Sequence, residues 1–157
     1  MKKLQSLQGR TAASGKKCAQ KPPDQKRRGE MGEAAFLLKA SALGFGVAKP
    51  WGDSERYDFI VDVAGSLLRV QVKSAHCRSN CRGRGYTISC GRRHERSYAV
   101  GEIDLLVAYI VPEDVWYIFP PDAFKIMRSV RLFPPRINTR SKYEQYREAW
   151  DAFREVK

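Results

Sequence analysis

Two alternating runs constrain this chain more than anything else in it: Tyr57-Asp58-Phe59-Ile60-Val61-Asp62-Val63-Ala64 and Leu67-Leu68-Arg69-Val70-Gln71-Val72-Lys73, separated by Gly65-Ser66. Apolar residues at every second position fit strands with one buried face. A two-residue gap with Gly in its first place fits a tight hairpin turn. With Gly65-Ser66 as the turn, Asp62 faces Arg69, Ile60 faces Gln71 and Asp58 faces Lys73. Phe59, Val61, Val63, Leu68, Val70 and Val72 then form the core face. Asp58, Asp62, Gln71 and Lys73 share the other, with opposed Cβ atoms about 5 Å apart. A slip of one residue would destroy this grouping.

The flanking segments suit a mixed α/β domain. Glu30 to Leu43 reads as a helix with acids in its first turn and Gly44 as its stop. Its expected inner side is Met31, Ala35, Leu38 and Ala42, widened by Phe36, Ala40 and Leu43. A third strand is expected at Tyr86–Cys90. The unbroken run Leu105–Val111 predicts a strand buried on both faces, with Val115–Phe119 as its hairpin mate across Pro112-Glu113-Asp114. Pro121 opens a short helix, residues 129–140 read as a loop, and Ser141-Lys142-Tyr143-Glu144 has the form of a capping box opening a last helix.

Charge is distributed unevenly. The net charge is +12. Nine Lys/Arg and one acid fall in residues 1–29, against 20 basic and 16 acidic residues in the other 128. With no aromatic residue and a Pro22-Pro23 pair, residues 1–28 read as a disordered basic arm, and residues 29–157 as the folded domain. Such a balance points to a polyanionic partner, nucleic acid first. No apolar stretch approaches the ~20 residues of a membrane span, and the basic start lacks the apolar core of a signal peptide. A cytosolic, reducing location is therefore expected, and four cysteines in a chain of this size do not form a disulfide scaffold.

Two acids, an amide and a lysine on one face suit phosphodiester hydrolysis. That reaction needs a hard cation held by oxygens, an activated water and a positive group near the developing charge. Asp58, Gln71 and the backbone carbonyl of Val72 offer oxygens for Mg²⁺. Lys73 can hold the attacking water or the phosphate. A solvated sheet face with two cross-strand ion pairs uses the same residues without chemistry.

Asp58 followed by Gln71-Val72-Lys73 resembles the PD-(D/E)xK nuclease superfamily. Gly32-Glu33, Ser54-Glu55-Arg56-Tyr57-Asp58, Gln71-Val72-Lys73-Ser74, Asp114-Val115-Trp116-Tyr117-Ile118 and the segment from Tyr143 to Trp150 resemble, more narrowly, its small bacterial members associated with group I introns. The resemblance spans residues 29–155. It implies a restriction-endonuclease-like core: an N-terminal helix, a central mixed β-sheet and C-terminal helices. It also implies a Mg²⁺-dependent DNA endonuclease of the bacterial cytosol (Mn²⁺ substituting), with Asp58, Gln71, Lys73 and Glu33 at the catalytic centre and Glu33 near the metal. Glu30 could take the place of Glu33. Gln71 stands where the superfamily usually has Asp or Glu, so its oxygen comes without a charge and one metal is the better expectation. Asp62 is assigned to an ion pair with Arg69.

Beyond Lys73, Ser74 and the arginines Arg78, Arg82, Arg84, Arg92 and Arg93 are expected to meet DNA, guanidinium groups suiting phosphates and guanine edges. Cys77, Cys81, Cys90 and His94 have a spacing that could hold Zn²⁺, but the first pair is loosely spaced and Cys90 falls in a strand, so zinc is not expected. Trp116, Tyr117, Phe119, Tyr143, Tyr146, Trp150 and Phe153 read as core and helix docking. Cutting both strands of a duplex takes two active sites, so a homo-oligomer (dimer or tetramer) is expected. Two other readings share these residues: a Holliday-junction resolvase-like nuclease, and a non-catalytic nucleic-acid-binding module.

Overall fold

A computed structural model describes residues 24–77, 85–91, 98–99, 101–124, 128–134 and 141–155. Helix α1 (Gln25–Ala42) is followed by strands β1 (Gly46–Ala48), β2 (Phe59–Val63), β3 (Ser66–Ala75), β4 (Tyr86–Ser89), β5 (Leu105–Ile110) and β6 (Val115–Phe119). Then come helix α2 (Pro121–Phe124), strand β7 (Ser129–Leu132) and helix α3 (Ala152–Glu155). Five strands form one mixed sheet in the order β1-β2-β3-β5-β6, in which only β3 and β5 run parallel. No helix among the described residues is long and apolar enough to cross a membrane.

The hairpin forms with its faces as expected but its register shifted by two residues. Phe59 pairs with Val70, Ile60 with Arg69 and Val63 with Ser66. The turn is therefore Ala64-Gly65, both at positive φ (53° and 88°), the geometry of a type I′ turn. Asp62 fixes it by accepting the Gly65 N–H at 2.9 Å. A shift of two keeps every side chain on its own face, so the core residues were placed correctly while the opposed pairs were not. The expected Asp62–Arg69 ion pair is replaced: Arg69 pairs with Asp104, both guanidinium contacts at 3.0 Å.

The sheet has a core on each face. On one side Phe59, Val61, Val70, Val72, Leu105 and Val107 pack against Phe36 and Ala40 of α1 and Phe153 of α3. On the other, Leu106, Ala108, Ile110 and Tyr117 pack under a two-stranded sheet of β4 and β7 together with α2. This is why β5 reads as an unbroken apolar run: its alternate residues enter different cores. Strand β4 joins the smaller sheet, and β7 falls in the segment expected to be a loop.

Helix α1 starts five residues before its expected beginning, with Asp24 as N-cap accepting from the Arg27 N–H at 2.8 Å. Lys26, Arg27 and Arg28, assigned from sequence to the arm, thus form its first turn, while residues 1–23 lie outside the described residues. Its buried stripe is Gly32, Phe36 and Ala40, while Met31, Leu37, Leu38 and Leu43 are exposed. The smallest residues decide this orientation. A Cβ on Gly32 would lie 2.7 Å from that of Ser74, so only glycine lets the helix sit this close to β3.

The last long helix does not form. A 3-10 turn (Glu144–Tyr146) and the short α3 replace it, and the chain between them pairs with β6. Glu148 caps that edge: its N–H donates to the Trp116 carbonyl, and its carboxylate accepts the Trp116 N–H, each at 2.8 Å. Satisfying an exposed strand edge outweighs the helical pattern of this segment. Trp116, Tyr117, Phe119 and Phe153 are buried, as expected of core aromatics.

Candidate active site

The ladder between β2 and β3 ends at Phe59 and Val70, and Asp58 is the next residue. Its backbone N–H still donates to the Val70 carbonyl at 2.9 Å. Past that point its side chain takes over: Oδ2 accepts the Val72 N–H at 2.8 Å and also a hydrogen bond from Gln71 Nε2. Asp58 therefore meets Gln71 and Val72 first. It does not stand directly against Lys73, as the assumed turn implied. Burial pushes its carboxyl above the ordinary carboxylate range, with the charge of Glu33 adding to the rise, while the Val72 N–H and Lys73 oppose it.

Gln71 is the buried polar side chain of the described core, 7% exposed. Its Nε2 lies 3.3 Å from the Val72 carbonyl oxygen as well as against Asp58, and its Oε1 accepts from Tyr98 Oη at 3.2 Å. Glu33, on α1, is bound by Lys49 Nζ at 2.7 Å, and that bond raises the Lys49 pKa, with Asp58 and Glu30 adding. Glu33, Asp58, Gln71 and Lys73 all line one cleft of about 430 Å³, beside Arg28 and His76. A second cleft of about 420 Å³ shares those four and adds Lys26, Glu30 and Lys49.

The structure thus brings together the four residues singled out as catalytic. Ser74 lines the same cleft, its hydroxyl 3.3 Å from the Arg28 carbonyl oxygen, which the His76 ring also approaches at 3.1 Å. The arginines Arg78, Arg82, Arg84, Arg92 and Arg93 lie outside the described residues, as do Cys81 and His94. Cys90 is buried in the core, where desolvation pushes its thiol up to about 11. Two site residues were missed. Lys49 follows the short strand β1 and carries no motif. Tyr98 lies 27 positions beyond Gln71, and only packing brings it there.

The donor set fits a divalent cation. Oxygens of Asp58 and Val72 converge on one electropositive group, here the Gln71 amide nitrogen. No cluster of three or more His, Cys, Asp and Glu occurs among the described residues. A cation beside these oxygens would rest on the Asp58 carboxylate and the Val72 carbonyl, with Glu33 nearby, and would gain the Gln71 oxygen, which faces Tyr98, only if the carboxamide turned over. Hard cations accept such oxygens.

A sheet ending in an acid beside a lysine-bearing central strand, with a glutamate from the first helix, is the arrangement of a phosphodiester-cleaving nuclease. The chain belongs to the PD-(D/E)XK endonucleases, whose family model matches residues 23–153. Nucleases of this family generally work with divalent metal ions, and an endonuclease implies DNA as partner. Among solved structures it is similar to that of a bacterial homing endonuclease, I-Ssp6803I, at 32% identity and a TM-score of 0.75, over 85% of this chain and 95% of that one. No curated protein matches it in sequence.

Proposed function

We propose that this nuclease is a Mg²⁺-dependent, site-specific endonuclease that cuts both strands of duplex DNA, of the intron-homing kind. The convergence of an Asp58 oxygen and the Val72 carbonyl oxygen at the Gln71 carboxamide, in the cleft that Lys73 and Glu33 line, is the observation that supports the reading. The likeness to a homing endonuclease over most of both chains supports the biological role. Asp58, Gln71 and the Val72 carbonyl would hold the Mg²⁺, which would supply positive charge against the scissile phosphate and make water more acidic. Lys73 orients the attacking water and offsets charge on the phosphate. Glu33, held by Lys49, positions that water from the helix side. Gln71 adds no charge, so the set favours one cation. A homo-oligomer supplies the two centres that double-strand cutting needs.

The test is cleavage of plasmid and linear duplex DNA with Mg²⁺, run beside Asp58→Ala and Lys73→Ala. Each variant is expected to lose at least about 100-fold in rate, the scale of losing a positioned charge or proton-transfer group. Cleavage undiminished in both would refute the assignment of the centre. Preferential cutting of four-way junctions over linear duplex would replace homing with junction resolution. Tight binding without cleavage under Mg²⁺ or Mn²⁺ would leave a DNA-binding module.

A further inference from the structure

The Gln71 carboxamide is held at both ends. Its nitrogen lies against the Asp58 carboxylate and 3.3 Å from the Val72 carbonyl oxygen. Its oxygen accepts from Tyr98 Oη at 3.2 Å. Tyr98 is 3% exposed, and its ring meets Phe124 edge-on at 6.3 Å and 89°. The hydroxyl therefore comes from a side chain fixed by packing.

The amide N–H is the electropositive group between two oxygens. A carboxylate in its place could only accept, and would set a second negative charge against Asp58. For Oε1 to serve a cation beside Asp58 and the Val72 carbonyl, the carboxamide would turn over, which would bring Nε2 to Tyr98. A tyrosine hydroxyl donates and accepts. It donates to Oε1 in the first state and accepts from Nε2 in the second.

We propose that Tyr98 is a positioning residue for the Gln71 carboxamide, partnering whichever end faces away from the cation site and so making a neutral amide serviceable as a metal ligand there. The inference rests on the reading of Asp58, Gln71 and Val72 as that site. Without the hydroxyl, the metal-free state leaves a buried carbonyl oxygen short of a partner, and the loaded state a buried N–H donor. Orphaned donors are the less tolerated of the two, so the loss falls more heavily on the loaded state.

The experiment is a double-mutant cycle on Mn²⁺ affinity, read by calorimetry on the full chain without DNA, with thermal melting of every variant. Tyr98→Phe keeps the ring against Phe124 and is expected to weaken Mn²⁺ binding about two- to threefold, a fraction of one buried hydrogen bond because both arrangements lose a partner. In a Gln71→Ala background the same change is expected to leave the affinity unaltered, because Tyr98 acts through the amide. A general loosening of the core would weaken binding equally in both backgrounds. That result, or a wild-type affinity in Tyr98→Phe, overturns the proposal. Should Tyr98→Phe melt too low to measure at about 25 °C, the cycle is run at about 10 °C with the same criterion. Asp58→Ala separates the two levels of the argument: wild-type Mn²⁺ affinity in that variant removes the site itself, whereas weakened binding there with no coupling at Tyr98 removes only the role of the tyrosine.

Discussion

At Asp58 a single carboxylate oxygen accepts from both Val72 N–H and Gln71 Nε2, yet burial still raises the carboxyl pKa. A carboxyl raised on folding binds its proton more tightly in the folded chain than in the unfolded one. Its contribution to stability is therefore full below the ordinary aspartate value and is lost as pH rises through the folded one. Near neutrality the ionised group works against the metal-free fold. Asp58→Asn keeps an oxygen able to take both hydrogen bonds and removes the charge. Its metal-free melting temperature at pH 7 is expected to exceed the wild-type value, with the gap narrowing as pH falls toward about 4. A lower melting temperature at pH 7 would show that the charge is compensated. The same variant is expected to lose the stabilisation that Mg²⁺ gives the wild type.

The turn joining β2 to β3 shows at the scale of an element how a pattern sets faces without setting register. Gly65-Ser66 and Ala64-Gly65 both bury the same apolar residues, because they differ by two positions. The second is adopted, with Asp62 bonding into the turn and Arg69 reaching Asp104. Its cost is Ala64 at φ 53°. A left-handed conformation disfavours an L-residue with a Cβ by about 1–2 kcal/mol, and Asn or Gly relieves part of it. Ala64→Asn, giving the Asn-Gly pair that type I′ turns favour, is expected to stabilise the protein by about 0.5–1 kcal/mol in denaturant unfolding. Were Ala64 a strand residue opposite Leu67, the same change would be neutral or destabilising. Helix α1 teaches a related lesson. Its large apolar residues suggested one inner face, but the contact falls on Gly32, Phe36 and Ala40, since close approach to Ser74 is open only to a residue without a side chain.

For the whole molecule the uneven charge matters most. Residues 1–23 hold six Lys/Arg and no acid, and the helix that follows opens with Lys26, Arg27 and Arg28, of which Lys26 and Arg28 line the two clefts. If each cation of that segment neutralises one phosphate, deleting residues 1–23 removes about 5 from the slope of log affinity against log salt for duplex DNA. A reduction of at least about 2 is expected from binding titrations over a range of NaCl concentrations. An unchanged slope would show that the segment takes no part in binding.

Alternation, turn chemistry and the acid–amide–lysine spacing sufficed for the mixed α/β class, the core face of the hairpin and three of the residues that meet in the cleft, Asp58, Gln71 and Lys73, because period-two patterns fix which side of a strand each residue occupies; Glu33 came only with the family resemblance. Register was beyond them, since shifts of two leave every face unchanged. So was the fate of residues 141–155, whose helical pattern yields to the open edge of β6, a demand that exists only once the sheet is assembled. Lys49 and Tyr98 were equally illegible: neither sits at a spacing that marks it, and each reaches the site by packing. Asp58 and Gln71-x-Lys73 could be read from the chain, but that Asp58 stands against Gln71, with a buried tyrosine behind the amide, was decided by the tertiary structure, where packing brings a partner to each end of the buried carboxamide.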